Sequence, residues 1–368
     1  MKKILILCID GLGPEYLEAS PTPNIDHMAK EGFFVIGRCM IPSVTNLNNV
    51  SIITGKPPRV HGITSNYWVD RATGEGRYME SSDFLRCPTI LQRAKKAGMT
   101  TALLTAKKKL LKLLQAGADY SLSAEEPDEE MVRKVGPKEG IYSAEINLWL
   151  LEALRVMVRE KKPDIVYCST TDWAMHKYAP CEKESIRHVQ AMDSILGRVL
   201  DENPDLEVYL TADHGMSEKT WGVDLRKVLA CKGIASETIP IIKDRYVEHH
   251  QNLGGAAYVY LEKQELVREA MGILQDFPGV DGVYSREEAA ERFELMEERI
   301  GDIFVLGDKD TVFGDFESPR VPVKVRSHGS LYESAVPIIA YGDGTKGNYQ
   351  RNLDIVAQIG QCLGGESL

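Results

Sequence analysis

The chain has 368 residues, of which 43% are hydrophobic and 27% are charged, an ordinary composition for a globular protein. This length allows one large hydrophobic core and a second, smaller one. The formal net charge of -10 at pH 7 argues against a nucleic-acid polymer or an anionic membrane as a partner, because binding either usually requires a basic face.

The opening stretch, MKKILILCIDG, has two lysines before an apolar run, as a secretory signal does. The run ends at Asp10 and no small-residue cleavage site follows, so a first buried strand is the better interpretation. No apolar stretch reaches the roughly 20 residues that a membrane-spanning helix needs. The seven cysteines are scattered and show no CxxC spacing, which predicts a reduced protein of the cytoplasm.

Short apolar runs alternate with amphipathic stretches through the first part of the chain. Buried strands are predicted in KKILILCI, TTALLTA, DIVYCSTT and EVYLTA, and helices in CPTILQRAKKAG, AEINLWLLEALRVMVREKK and ESIRHVQAMDSILGRVLDEN. Strands that are apolar throughout, separated by helices, are typical of an α/β fold in which helices cover both faces of a mostly parallel sheet.

Residues 234–320 have a different pattern. AAYVYL, the helix-like KQELVREAMGILQDF, GVDGVYS and DIFVLGD indicate a small α+β unit, after which a core-like stretch, GSLYESAVPIIAYGDG, resumes. We therefore expect a catalytic α/β core of residues 1–233 and 321–368, with residues 234–320 inserted as an α+β cap subdomain.

Carboxylates follow three of the predicted strands. Asp10 comes after ILILCI, Asp172 after DIVYCSTT and Asp213 after EVYLTA. In parallel α/β sheets, ligands bind in the crevice beyond the carboxyl ends of the strands. Several carboxylates at one place repel each other unless a cation lies between them, so the sequence predicts a metal site there.

Histidines accompany these carboxylates. Asp172 and His176 are four residues apart, so if this stretch is helical their side chains lie on one face within about 5–6 Å of each other. His214 adjoins Asp213, and His328 stands in RSHGSL. Taken singly, each has an ordinary explanation: a salt-bridged helix surface, a turn or a hydrogen-bonded histidine. Their combination in this order is far more specific.

The order of motifs carries a family resemblance. Asp10, SVTN, TGKPPRVHGI, TDWAMH, ADHG and SHG resemble the alkaline phosphatase superfamily, in particular its branch of nucleotide pyrophosphatase/phosphodiesterase-like enzymes. The resemblance extends over most of the chain outside the expected insertion. It implies an alkaline-phosphatase-like three-layer sandwich, with a mostly parallel central sheet, and two zinc ions.

The resemblance also implies a ligand set. One ion would be held by Asp172, His176 and His328, and the other by Asp10, Asp213, His214 and the hydroxyl oxygen of Thr45. Mixed oxygen and imidazole ligands suit zinc better than magnesium, and they are compatible with manganese or iron. The first set has three protein ligands, which leaves a position open for water or substrate, as catalytic zinc sites do.

Thr45 has two interpretations. In PSVTNLNN it has the character of a helix N-cap, a common structural role. A helix N-terminus also favours an alkoxide and a bound phosphoryl group, and with zinc nearby the hydroxyl becomes a usable nucleophile. The family context favours the nucleophile.

Three further residues indicate the substrate. Asn66 could donate to a phosphoryl oxygen, and Lys107 and Lys109 follow another strand end, in LLTAKKKLL. Asn66 and this Lys-x-Lys resemble phosphonoacetate hydrolases within the superfamily, where the corresponding lysines hold the negative groups of the substrate. The direction of Lys108 is left open, since a run of lysines is usually a solvated face.

We therefore expect a zinc-dependent hydrolase that cleaves the carbon–phosphorus bond of phosphonoacetate, giving acetate and phosphate through a phosphothreonine at Thr45. The alternative is a nucleotide pyrophosphatase/phosphodiesterase with the same two-metal centre, in which Tyr67 and Trp68 form a slot for a base unless they belong to a hairpin. A catalytically silent metal protein that senses an anion is a third class.

The expected partner is a small anionic phosphonate or phosphate ester, and a homodimer is compatible with the sequence. His249 and His250 could line the substrate entrance, but a pair exposed on a loop is the interpretation we favour from the sequence.

Overall fold

The computed structural model describes residues 3–71, 73–345 and 347–362. The strands are β1 (Lys3–Cys8), β2 (Phe33–Arg38), β3 (Tyr67–Val69), β4 (Gly76–Tyr78), β5 (Thr101–Thr105), β6 (Tyr120–Ser123), β7 (Ile165–Ser169), β8 (Leu206–Thr211), β9 (Ser217–Val223), β10 (Ser236–Pro240), β11 (Ala256–Leu261), β12 (Val280–Ser285), β13 (Ile303–Gly307), β14 (Thr311–Phe313), β15 (Arg320–Ser327) and β16 (Ala335–Tyr341).

The α-helices are α1 (Pro14–Ala19), α2 (Pro23–Glu31), α3 (Thr45–Thr54), α4 (Pro58–His61), α5 (Ile90–Lys96), α6 (Lys108–Leu114), α7 (Glu129–Val135), α8 (Glu145–Lys161), α9 (Trp173–Lys177), α10 (Lys183–Glu202), α11 (Leu225–Ala230), α12 (Val247–His250), α13 (Val267–Gln275), α14 (Arg286–Arg292) and α15 (Asp354–Cys362). All the strands and long helices predicted for the first part of the chain are present.

The largest sheet has seven strands in the order β2-β16-β8-β1-β7-β5-β6. The five strands from β8 to β6 run parallel, and β16 is antiparallel to both β8 and β2. Along β1, Ile4 and Ile6 belong to one hydrophobic cluster, whereas Leu5 and Leu7 belong to another. Both faces of the sheet are therefore buried, which explains why its strands are apolar at every position. The expected three-layer α/β sandwich is confirmed.

A second, four-stranded antiparallel sheet has the order β10-β11-β13-β12, and α11 and α13 pack on it. Its hydrophobic cluster takes in Val223, Leu225 and Leu229, which precede the boundary that we placed at residue 234. Strands β9, β14 and β15 form a third sheet that joins the two parts. The division into a core of residues 1–233 and 321–368 and a cap of residues 234–320 therefore remains a proposal.

The second unit is bonded to the loop that leads to β3. The guanidinium of Arg299, which is almost fully buried, donates to the carbonyl oxygens of Gly62 and Phe84, at 2.5 and 2.7 Å. The hydroxyl of Tyr258 donates to the carbonyl oxygen of Thr64 at 3.1 Å. These contacts hold the second unit over the end of the large sheet where its parallel strands terminate. None of the helices in the described ranges is long and apolar enough to cross a lipid bilayer.

Candidate active site

The sheet brings three aspartates together. Strand β1 pairs with β7 on one side and with β8 on the other, so these three strands end side by side. Asp10, Asp172 and Asp213 each follow one of these strands within three residues, and all are almost completely buried. Three buried carboxylates at one sheet edge form the floor of the candidate site.

The first group of possible ligands surrounds the imidazole of His214. Its Nε2 atom lies 3.3 Å from Oδ1 of Asp10, 3.6 Å from Oδ2 of Asp213 and 3.3 Å from Oγ1 of Thr45. Ligands of a tetrahedral zinc ion, with bonds of about 2.0–2.1 Å, stand about 3.3 Å apart. Both carboxylate oxygens of Asp10 lack a hydrogen-bond partner. The residues present therefore fit a metal ion.

The second group is centred on Asp172. Its Oδ2 atom lies 3.0 Å from Nε2 of His176 and 3.5 Å from Nε2 of His328. Asp172 is the N-cap of α9 and His176 lies in the same helix, so one helical turn presents both side chains to the site. The rings of His214 and His328 are stacked, with centroids 3.6 Å apart, and this contact brings the two groups side by side.

Backbone carbonyls orient all three of these imidazoles. The Nδ1 atoms of His176, His214 and His328 lie 2.7, 2.8 and 2.8 Å from the carbonyl oxygens of Arg326, Gly215 and Ser43. Because a carbonyl oxygen only accepts, each Nδ1 carries the proton and each Nε2 keeps a lone pair. Metal-binding histidines are usually held in this way by their other nitrogen.

Asn49 is a supporting residue that the sequence analysis missed. Its side-chain amide donates to Oδ2 of Asp213 at 3.1 Å, and its oxygen accepts from the hydroxyl of Tyr167 at 2.8 Å. Oδ1 of Asp213 accepts from the backbone N–H of Gly11 at 3.2 Å. Asn49 follows Thr45 by one helical turn on a fully buried helix, and this position could have indicated that it supports the site.

The carboxylates of the candidate site differ in pKa. Burial, with the nearby charges of Asp172 and Asp213, holds the pKa of Asp10 well above its usual range. Burial also raises the pKa of Asp213 to about 7. Burial would raise the pKa of Asp172 as well, but Lys107 and then His249 hold it well below its ordinary value. A divalent cation would relieve the repulsion that the other two carboxylates experience.

Thr45 is the first residue of α3, not its cap. The N-cap position is occupied by Val44, and no side chain caps this helix, so the N-cap interpretation of Thr45 is wrong. The hydroxyl is instead directed at the His214 group, and every residue of α3 is buried. The N-terminus of a ten-residue helix therefore adds its partial positive charge beside the candidate ligands.

The lysine run divides between the interior and the surface. Nζ of Lys107 lies 3.0 Å from Oδ1 of Asp172 and 3.6 Å from Oδ2 of Asp10. Lys109 is also buried, and its ammonium group forms an ion pair with Asp244. Lys108 turns outward and pairs with Glu126 at the surface. Two of the three lysines are thus buried, each already opposite a carboxylate of the protein.

Asn66 lies close to the same ion pair. Its Nδ2 atom is 3.4 Å from Oδ2 of Asp244 and 3.5 Å from the carbonyl oxygen of Ile242, and its Oδ1 atom has no hydrogen-bond partner. These contacts are at the long limit for hydrogen bonds. The amide is therefore only loosely held and has capacity for a ligand.

The expectation that His249 and His250 are exposed is wrong. Their side chains are 0% and 5% exposed, because the single turn of α12 folds them inward. Nε2 of His249 lies 2.9 Å from Oδ1 of Asp172, and Nε2 of His250 lies 3.0 Å from Oδ1 of Asp244. The sequence analysis missed Asp244 altogether. The signal was two acidic and two imidazole side chains close together in KDRYVEHHQN.

Tyr67 and Trp68 belong to a hairpin. Strand β3 pairs with β4, and the ring of Tyr67 packs edge-on against that of Tyr78, with centroids 5.0 Å apart. The indole of Trp68 packs edge-on against Phe84 at 6.2 Å. Both rings therefore have structural partners, and a base-binding slot is not needed to explain them.

Comparisons with known proteins identify a family and similar structures. Residues 4–331 match the family described as type I phosphodiesterase / nucleotide pyrophosphatase. A phosphonoacetate hydrolase from Sinorhizobium meliloti 1021, solved in complex with phosphonoformate, is 34% identical, with a TM-score of 0.88 over 97% of this chain and 95% of that chain. The same enzyme in complex with phosphonoacetate gives 33% identity and a TM-score of 0.87.

More distant relatives share the fold. Murine ectonucleotide pyrophosphatase / phosphodiesterase 5, also solved in complex with AMP, has a TM-score of 0.74 at 19% identity and covers 100% of this chain and 96% of that chain. The bis(5'-adenosyl)-triphosphatase enpp4 of Mus musculus is 26% identical over 230 residues, which are 59% of this chain and 47% of that protein. The match thus spans about half the length of this curated relative.

Proposed function

The chain belongs to the type I phosphodiesterase / nucleotide pyrophosphatase family of the alkaline phosphatase superfamily, and on this premise we propose that it hydrolyses phosphonoacetate to acetate and phosphate. One observation carries the proposal: the Thr45 hydroxyl stands beside the ligand cluster, and the buried ammonium groups of Lys107 and Lys109 pair with Asp172 of that cluster and with Asp244. The similarity to a phosphonoacetate hydrolase over nearly the whole chain supports this choice of substrate.

Thr45 would act as the nucleophile. Its oxygen attacks phosphorus, the carbon–phosphorus bond breaks, and the electron pair of that bond moves onto the departing CH₂ carbon and its carboxylate. The threonine proton leaves to water, and the carbon takes up a proton from water to give acetate. A second water then attacks phosphorus of the phosphothreonine, which releases phosphate and restores the hydroxyl. The sum is phosphonoacetate plus water giving acetate plus phosphate.

The metal ions would occupy the two groups of ligands described above. Asp172, His176 and His328 would hold one zinc ion, and Asp10, Asp213, His214 and Thr45 the other. When bound, the two ions would supply positive charge that favours ionisation of the hydroxyl and of water and offsets the charge of the phosphoryl oxygens.

The lysines would bind and orient the carboxylate end of the substrate. The ammonium groups of Lys107 and Lys109 each have three N–H donors, so a substrate carboxylate can be a further acceptor beside Asp172 and Asp244. The same contacts would stabilise negative charge that builds up on that carboxylate as the carbon–phosphorus bond breaks. Asn66, through its loosely held amide, would donate to an equatorial phosphoryl oxygen.

The experiment is steady-state release of both products from phosphonoacetate, with zinc, manganese or iron added back to chelator-treated protein. We expect equimolar acetate and phosphate, and no turnover without metal. Failure to release acetate under all three metals would refute the proposed substrate. Because the identity of the ion is part of the proposal, the metal that gives the highest kcat/KM identifies it.

Family membership supports a second candidate, a nucleotide pyrophosphatase or phosphodiesterase with the same centre. A nitrophenyl nucleotide diester in the same assay separates the two, since the substrate with the higher kcat/KM identifies the activity. Turnover of either substrate excludes a silent anion sensor. A cytoplasmic location and a homodimer remain predictions from the sequence, to be tested by fractionation and by molar mass in solution.

A further inference from the structure

His249 reaches the candidate metal centre from outside the strand ends. It lies on α12, in the segment between β10 and β11, and its side chain is 0% exposed. Its Nε2 atom is 2.9 Å from Oδ1 of Asp172, and its ring is 4.9 Å from that of His176, measured between centroids. A fourth imidazole therefore faces the centre.

The contact between His249 and Asp172 is not a hydrogen bond. Despite the short separation, neither ring nitrogen of His249 has a hydrogen-bond partner. Nε2 of His176 shows the same combination: it lies 3.0 Å from Oδ2 of Asp172, also without a hydrogen bond. In both pairs a ring nitrogen and a carboxylate oxygen lie about 3 Å apart, but no N–H is directed at the oxygen. This is the arrangement of two neighbouring ligands of one metal ion.

We propose that His249 is a ligand of the ion held by Asp172 and His176. The ligand atoms of these three residues all lie within 4.8 Å of one another. A buried imidazole without any hydrogen-bond partner destabilises the fold, and coordination would remove that cost. The proposal concerns the metal centre and not the substrate, so it does not depend on whether phosphonoacetate is hydrolysed.

Coordination by His249 changes the character of this ion. With Asp172, His176 and His328 it makes four protein ligands, the number typical of a closed zinc site. A substrate or water oxygen would then have to replace one ligand or be added as a fifth. Among the three histidines, His249 would be the most easily displaced, because Nδ1 of His176 and of His328 is held by a backbone carbonyl and Nδ1 of His249 is not.

His250 provides a matched control. Its Nδ1 atom accepts a hydrogen bond from the backbone N–H of Asn252 at 3.1 Å, and its Nε2 atom faces Oδ1 of Asp244 at 3.0 Å. Both nitrogens therefore have partners within the segment. Glutamine at position 250 retains a donor for Asp244, so His250→Gln changes the adjacent imidazole without removing a proposed ligand.

The test is metal binding by the full chain. Wild-type protein, His249→Gln and His250→Gln are stripped of metal, titrated with zinc against a competing chelator, and loaded with cobalt(II) for absorption spectra. For His249→Gln we expect one of two zinc affinities to fall about 10–100-fold, and the cobalt bands to change, while His250→Gln resembles wild type. The proposal is wrong if His249→Gln has the zinc affinities and the cobalt spectrum of the wild-type protein. This holds even if the KM of that variant for phosphonoacetate is raised.

A crystal structure of the zinc-loaded wild-type protein gives a second test that does not depend on how well a variant folds. Nε2 of His249 should lie about 2.0–2.1 Å from the ion in the absence of substrate. A separation beyond about 3 Å would exclude coordination. Phosphonoacetate turnover plays no part in either measurement, so failure of the proposed function and failure of this inference are distinguishable.

Discussion

The strand ends of the large sheet and the segment of residues 241–255 both contribute to the site, but they are built differently. Asp10, Asp213 and His214 follow regular parallel strands, and backbone groups orient the side chains of Asp213 and His214. Asp244, His249 and His250 lie on an irregular segment with a single helical turn and positive φ angles at Gln251 and Asn252. The sheet thus supplies a centre for phosphoryl chemistry, and the loop segment supplies the groups around it.

The largest effect should come from the sheet side. Replacing Thr45 by alanine removes the proposed nucleophile, so kcat for phosphonoacetate should fall at least about a thousandfold. Zinc should stay largely bound, because Asp10, Asp213 and His214 remain. The measurement is turnover together with metal content. Full activity in Thr45→Ala would exclude the covalent route.

The pH dependence of the metal-free protein tests the crowded carboxylates directly. Because burial raises the pKa of Asp213 to about 7, the folded chain keeps a proton that the unfolded chain releases above its ordinary value of 3.8. This contribution to stability is present at low pH and is lost as pH rises toward 7. Between pH 5 and 7 the free energy of unfolding should fall by about 2 kcal/mol relative to Asp213→Asn.

Denaturant unfolding of the stripped wild-type protein and of Asp213→Asn, each at pH 5 and pH 7, is the measurement. If the two proteins show the same change with pH, the carboxylate of Asp213 does not titrate in this window. Zinc should suppress the difference, because the bound ion keeps the carboxylate ionised at both pH values.

A smaller effect should come from the loop segment. Asp244→Asn removes the negative charge opposite Lys109 while it keeps the shape of the side chain. A substrate carboxylate would then meet less repulsion, so the ratio of kcat/KM for phosphonoacetate to that for its carboxamide analogue should rise about tenfold. A lower ratio would mean that Asp244 serves instead to position Lys109.

The smallest effect is expected for Lys108, which lies at the surface. Lys108→Ala removes an ammonium group that pairs with Glu126 at the surface, so kcat and KM should stay within about twofold of wild type. The same assay on Lys107→Ala should show a severe loss, since that ammonium group faces Asp172 and Asp10. Equal effects of the two substitutions would contradict the inward and outward arrangement of the lysine run.

The sheet side could be predicted from the sequence because strands that are buried on both faces are apolar throughout and end abruptly in polar residues. This pattern predicts Asp10 and Asp213 as site residues, and the four-residue spacing of Asp172 and His176 predicts that they share one face of a helix. The loop side had no such periodicity. Lys109 and Asp244 are separated by 135 residues, and nothing local in the chain indicates that they pair.

The two oxygens of Asp172 face different parts of the molecule, and this has a consequence for protein engineering. Oδ2 faces His176 and His328 of the strand-end cluster, whereas Oδ1 faces Lys107 and His249. Grafting the 241–255 loop from a homologue to change the range of substrates would therefore also alter the environment of a carboxylate that we propose as a metal ligand. Chimeras that retain histidine at position 249 should preserve metal occupancy, and those that lose it should require more zinc in the growth medium.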